Sequence, residues 1–144
     1  MSTKADKIQK GFCLASLVVD KTAAEGLWFP FMGGAEFKIA KANSRAERQE
    51  LGNLYKANQT VIDSDTPEGN ELAEKLTIEV EAKYRLIDWR GIVNENGEEI
   101  PYSVEASTEY MNIEEVRNFV NSKSASYEPW RVSSVAKTAE KLKK

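Results

Sequence analysis

The stretch YRLIDWRGIVNENGEEIPYSVE, residues 84–105, decides how the chain is read. A run with helical spacing enters it and stops at Trp89-Arg90-Gly91. A polar segment around Asn96-Gly97 follows, and Pro101-Tyr102-Ser103 has the form of a new helix start. Glycine tolerates the left-handed backbone that closes a helix, so Gly91 is expected just past its end. Asn-Gly is a tight-turn dipeptide, and its flanks Ile92-Val93 and Ile100 suit a small hairpin or a compact loop. Pro101 stiffens the exit. Ser103 is a good N-cap, with Glu105 favourable in the first turn. The stretch is thus a helix stop, a turn and a helix start. Trp89, Ile92, Val93, Ile100 and Tyr102 fold this corner onto the helix before it.

That helix is expected from about Glu71 to Asp88. Leu72, Leu76, Val80, Tyr84 and Ile87 make one apolar stripe, and Ala73, Ala82, Leu86 and Trp89 widen it enough for contacts on more than one face. Residues 58–70 read as a loop with a brief extended piece at Val61-Ile62. Before them, Ser44 with Glu47 three residues later has the form of a capping box. The helix it opens carries Leu51, Leu54 and Tyr55 at helical spacing, weakened by about 1 kcal/mol at Gly52. Further back, GLWFPF (26–31) and AEFKIAKA (35–42) flank Met32-Gly33-Gly34, which predicts a hairpin. Pro30 cannot donate to a ladder, so its strand is an edge or is bulged. Leu14–Val19 is a short β-leaning run.

Beyond the opening stretch, a helix is expected over roughly Val104 to Met111, stopped by Asn112. Ile113, Val116, Phe119 and Val120 mark another short helix. Residues 121–130 read as a loop in which Pro129 suits a first helical turn. Val132, Val135, Ala136, Ala139 and Leu142 outline a last amphipathic helix ending in lysines, as the macrodipole favours. The expected fold is α+β in one domain, 1–144. A β-rich part over 1–42 forms an antiparallel hairpin or three-stranded sheet, and 43–144 form a bundle of four to five helices. Residues 1–10 and the lysine tail are expected to fray.

Composition narrows the chemistry. The 144 residues include no histidine, the commonest general base and metal ligand. Cys13 is the sole cysteine, which excludes an intrachain disulfide and a cysteine-based zinc cluster. No phosphate-cradling or dinucleotide glycine motif occurs. Carboxylates are plentiful, yet their spacing singles out no catalytic pair, so neither an enzyme nor a cofactor is expected. A small carboxylate-dependent hydrolase is the enzymatic alternative. No apolar run reaches 18 residues, so no membrane span is expected. FCLASLVV (12–19) is too short, and lacks the cleavage site, for a signal peptide. The protein is therefore read as cytosolic. From Asp63 to Glu115, 15 acidic residues face 4 basic ones, a local net of −11. Such a middle repels phosphates and argues against nucleic acid. It is either a solvated helix surface or an acidic face that steers a basic partner.

The same stretch carries a resemblance. A strand with Trp28 leads to a glycine turn and EFKIAKA, and a long helix closes in LIDWRGI. Then come NENGEEIPYSVEAS and a Tyr/Trp-containing segment. This order is similar to tail assembly chaperones of long-tailed (siphovirus-type) bacteriophages. The matching positions are Trp28, Trp89, Gly91, Asn96, Gly97, Pro101, Tyr102 and Ser103, all structural, and the similarity spans roughly residues 26–130. NIEEVRNFV departs from the family, where a Pro- or Asp-led segment is commoner, and the first twenty residues match nothing in it.

The resemblance implies a protein of the host cell cytoplasm that binds the tape measure protein in many copies and keeps it soluble. It then gives way as the major tail protein polymerises. It also implies a longer frameshifted form, for which Lys143-Lys144 would mark an A-rich slip site. Partner-binding candidates are Val132, Val135 and Leu142 of the last amphipathic helix, with Tyr127, Trp130 and Arg131 beside it, because aromatics and arginine are favoured anchors. Core packing is the competing reading for each, and is the one expected for Trp28 and Trp89. An edge strand makes a homo-oligomer a further expectation. The alternative function is a structural tail component, a tube or terminator subunit retained in the virion.

Overall fold

β-leaning sequence on either side of Gly33-Gly34 zips into an antiparallel pair, β1 (Leu27–Pro30) and β2 (Glu36–Ile39), with Phe29 opposite Phe37. Gly33 and Gly34 have φ of +59° and +83°, the pair of positive values that a two-residue primed turn requires. The computed structural model describes residues 11–20 and 22–132. These fall into two compact units, residues 22–125 and residues 11–20 with 126–132.

In the larger unit the fold class is as expected: a three-stranded antiparallel sheet with five α-helices among the described residues. The helices are α1 (Arg45–Ala57), α2 (Gln59–Ile62), α3 (Pro67–Tyr84), α4 (Val104–Met111) and α5 (Glu114–Ala125). The third strand, β3 (Leu86–Arg90), comes from the stretch whose spacing predicted helix. It pairs with β2, placing Phe37 opposite Trp89 and Lys38 opposite Asp88, with an irregularity at Lys38/Ile39. The expected helix end at Asp88 is thus corrected to Tyr84. Ile87 and Trp89 lie on the helical period only by coincidence, and cross-strand packing overrides it. Gly91 is left-handed, φ +75°, as expected, yet it closes a strand. A Cβ there would lie 3.0 Å from the Gly34 carbonyl oxygen and 3.1 Å from Ala35 Cα.

Changing from helix to strand in two residues strands the carbonyls at the end of α3. α4 recovers them. Ser103 caps α4, accepting from the Ala106 N–H at 3.0 Å. The buried Ser107 Oγ donates to the Ala82 carbonyl at 2.7 Å, and the Tyr102 hydroxyl donates to the Leu86 carbonyl at 2.6 Å. Burial raises the Tyr102 phenol above its ordinary pKa, keeping it a donor. Trp89 Nε1 donates to the Ile100 carbonyl at 2.8 Å, and its ring meets Tyr102 edge-on at 5.0 Å. Between them the Asn96-Gly97 segment forms the expected small hairpin. Val93 bridges Glu99, and Asn94 Oδ1 accepts the N–H groups of Asn96 and Glu98. The opening stretch is therefore a joint that hands a helix over to a strand and satisfies what the handover exposes.

Other departures are local. Residues 58–70, expected as loop, hold α2 and the start of α3, where Thr66 caps the Gly69 N–H at 3.1 Å and Pro67 occupies the first turn. α5 runs to Ala125 through residues expected as loop, because Ser124 Oγ donates to the Ala40 carbonyl at 2.7 Å. Leu14–Leu17 is a 3₁₀ turn, and only Val19 of that run makes a β-bridge. Trp28, expected buried, is half-buried, with the Arg90 guanidinium 4.1 Å from its ring centre. Residues 1–10, Val135 and Leu142, and with them the expected frayed ends and most of the last helix, lie outside the described residues.

The core lies between the sheet and the helices, with Ile39, Leu86, Val80, Met111 and Val120 fully enclosed. Each such side chain contributes roughly 1.5–3 kcal/mol. α5 closes over the sheet through Phe119, whose ring meets Phe31 at 4.9 Å. A polar staple ties α1, α3 and α5 together. Ser44 accepts from the Glu47 N–H, as the capping box predicts. The buried Glu47 carboxylate then takes the Asn43 N–H and Arg85 Nε, both at 2.5 Å. Buried Glu81 accepts from Arg117 at 3.1 Å and Asn121 at 3.0 Å.

Both sheet edges are blunted. Phe31 N–H donates to the Ala35 carbonyl, so alternation turns the backbone groups of Trp28 and Pro30 outward, and Pro30 has no N–H. On β3, Trp89 N–H is taken by its neighbour Asp88 at 2.8 Å, and the Leu86 carbonyl by Tyr102.

Candidate partner-binding site

The smaller unit is built from two short apolar segments held by backbone. Cys13 starts the first: its carbonyl accepts both the Ser16 N–H at 3.0 Å and the Ser16 hydroxyl at 2.7 Å, closing one 3₁₀ turn. Val18, β-branched and extended, ends the turn and sends the chain on as a strand. In the second segment Pro129 sits inside the 3₁₀ turn Glu128–Trp130. Val19 and Arg131 form an antiparallel bridge. Asp20 N–H donates to the Trp130 carbonyl at 2.7 Å, and Val132 N–H to the Val18 carbonyl at 3.0 Å.

This pairing brings Leu17, Val19, Tyr127 and Arg131 around a concavity of about 320 Å³. Phe12, Leu14 and Tyr127 are 68%, 74% and 62% exposed, and Leu17, Val18 and Val132 are exposed beside them in the same unit. A carpet of large apolar side chains on so few residues is uncommon on a monomer surface and could accommodate the apolar face of another molecule. One polar atom breaks it. Arg131 Nε is buried and has no hydrogen-bond partner among the described residues. An orphaned donor of that kind costs about 1–3 kcal/mol until an acceptor arrives. The surface therefore suits a polypeptide that brings apolar side chains and one carbonyl or carboxylate oxygen.

Three of the residues expected to bind a partner, Tyr127, Arg131 and Val132, lie on this surface. Trp130 lies between them in sequence and is fully buried, so its indole serves packing. Val135 and Leu142 are outside the described residues. Phe12, Leu14, Leu17 and Val18 were not singled out as binding residues. Their only sequence signal is the compact apolar run FCLASLVV, which has no period to show which side faces out. The eight motif positions, Trp28 to Ser103, all belong to the larger unit, where they build the hairpin and the joint.

Among the described residues no three His, Cys, Asp or Glu side chains converge as metal ligands. No helix among them is long and apolar enough to cross a membrane. The sequence profile of a family described as YdaY prophage protein matches residues 32–141. No curated protein and no solved structure matches the chain.

Proposed function

The chain belongs to the YdaY prophage protein family and is phage-derived, and on that premise we propose that it is a tail assembly chaperone. It binds the tape measure protein in many copies in the host cytoplasm, keeps it soluble, and yields it to the major tail protein. The observation that carries this reading is the apolar surface around Leu17, Tyr127 and Arg131. A long helical ligand with exposed apolar stripes aggregates unless they are covered. A small surface covers one short piece of such a stripe weakly, and many weak contacts along one ligand add up to firm coating that still releases. The orphaned Arg131 donor favours a helix segment bearing a carboxylate next to its apolar side chains.

Co-expression with the tape measure protein of the same phage tests this. The wild-type chain keeps that protein soluble and co-purifies with it in several copies per ligand. Replacing Phe12, Leu14 and Val18 together by serine abolishes both effects while the fold persists. Undiminished coating by the triple variant overturns the assignment. Its presence in purified virions would instead identify a permanent tail component.

A further inference from the structure

A second concavity lies wholly within the larger unit, where α1, α3 and α4 meet. It encloses about 450 Å³, and Leu54, Val80 and Val104 supply its apolar surface. Val80 is buried, whereas Val104, at the start of α4, is 42% exposed and faces no cover. The rim carries Glu50, Glu79 and Glu105 against one cation, Lys83. Lys83 is already committed: it pairs with Glu50 at 2.7 Å, and that carboxylate raises its pKa. The side-chain carboxylates of Glu79 and Glu105 have no hydrogen bond or ion pair among the described residues. The groove is thus greasy inside and carries two uncompensated negative charges at its lip.

The chain itself owns a segment of matching character. Residues 133–144, SSVAKTAEKLKK, carry Lys137, Lys141, Lys143 and Lys144 against Glu140. Val135, Ala139 and Leu142 recur at the spacing of one helical stripe. We propose that this segment of a second copy docks in the groove, its apolar stripe on Leu54, Val80 and Val104 and its lysines on Glu79 and Glu105. Because donor segment and acceptor groove are different parts of the chain, the contact is head-to-tail and propagates from copy to copy. The blunted sheet edges leave such a groove as the better route to self-association. The proposal concerns the purified chain alone, so its failure leaves the chaperone reading untouched, and the reverse holds too.

Sedimentation velocity over a concentration series tests it on the full chain. The wild type associates with rising concentration, and salt weakens the association, because partly exposed ion pairs are screened. Glu79→Lys with Glu105→Lys weakens it about tenfold, and so does Lys137→Glu with Lys141→Glu. All four changes in one chain restore it. The milder Glu79→Gln with Glu105→Gln also weakens it, guarding against a charge reversal that disturbs α4. Removing residues 133–144 abolishes it. A wild type that stays monomeric at the highest soluble concentration overturns the proposal. So does association that survives the deletion, or a four-fold variant that fails to recover. Protection of the groove only on adding another phage polypeptide would assign the groove to a foreign helix and equally overturn it.

Discussion

Residues 22–125 enclose Ile39, Leu86, Val80, Met111 and Val120, and their exposed large apolar side chains, from Met32 to Ile113, are scattered singly. The smaller unit is arranged the other way round. Its described residues bury Trp130 alone and expose Phe12, Leu14, Leu17, Val18, Tyr127 and Val132. The first is held by an interior and a paired polar staple. In the second, a bridge and backbone hydrogen bonds join the two described segments. One region therefore spends its apolar residues on folding and the other leaves them in water. The proposed chaperone role gives a reason to separate the two, because a binding surface that also held the core together could not be loosened without unfolding the protein.

On that separation, the largest losses of stability should come from the larger unit's staple. Arg85→Ala leaves the buried Glu47 carboxylate without its hydrogen-bonded guanidinium and should cost about 3–5 kcal/mol. Urea unfolding measures it, and a loss under 1 kcal/mol would show that the staple is ornamental. Gly91→Ala should follow at about 1–3 kcal/mol, because φ is +75° and the new Cβ meets the β-turn backbone at 3.0 Å. Its effect tests whether the strand exit is as tightly held as the staple.

Tyr102→Phe should cost about 1 kcal/mol at neutral pH. The loss stays moderate because Ser107 also reaches the Leu86 carbonyl, at 3.3 Å. Burial raises the Tyr102 pKa above the ordinary 10.0, so the phenol ionises more easily when unfolded. Its contribution is therefore complete below pH 10.0 and fades as pH climbs through the raised folded value. The Phe variant should lose less stability than the wild type between neutral and strongly alkaline pH. Parallel alkaline profiles for the two chains would remove Tyr102 from the joint.

Much of the larger unit was legible. Gly33-Gly34, the Ser44/Glu47 box and Ser103 announce their turns and caps through local chemistry, which the sequence carries in full. β3 was not legible. Leu86-Ile87-Asp88-Trp89 continues a helical stripe, and the reason it is a strand, the free edge of β2, lies some fifty residues away in the chain. The smaller unit was half legible. Among the candidates, Tyr127 and Val132 prove exposed, while Trp130, in the same short segment, is enclosed because of which way the chain turns. Phe12–Val18 acquire meaning only once Val18 and Val19 meet Val132 and Arg131, a pairing between distant segments that no local pattern encodes.

The smallest expected effect is the one that discriminates most. Phe12→Ser with Leu14→Ser should change stability by no more than about 0.5 kcal/mol, since both side chains are already in water and removing them leaves no cavity. Binding of an apolar dye to the native chain should fall in the same variant, because the patch it reports has gone. A drop in stability comparable to that of Gly91→Ala would mean that these side chains pack in solution. The smaller unit would then have an interior of its own, and the proposed binding role would lose the surface on which it rests.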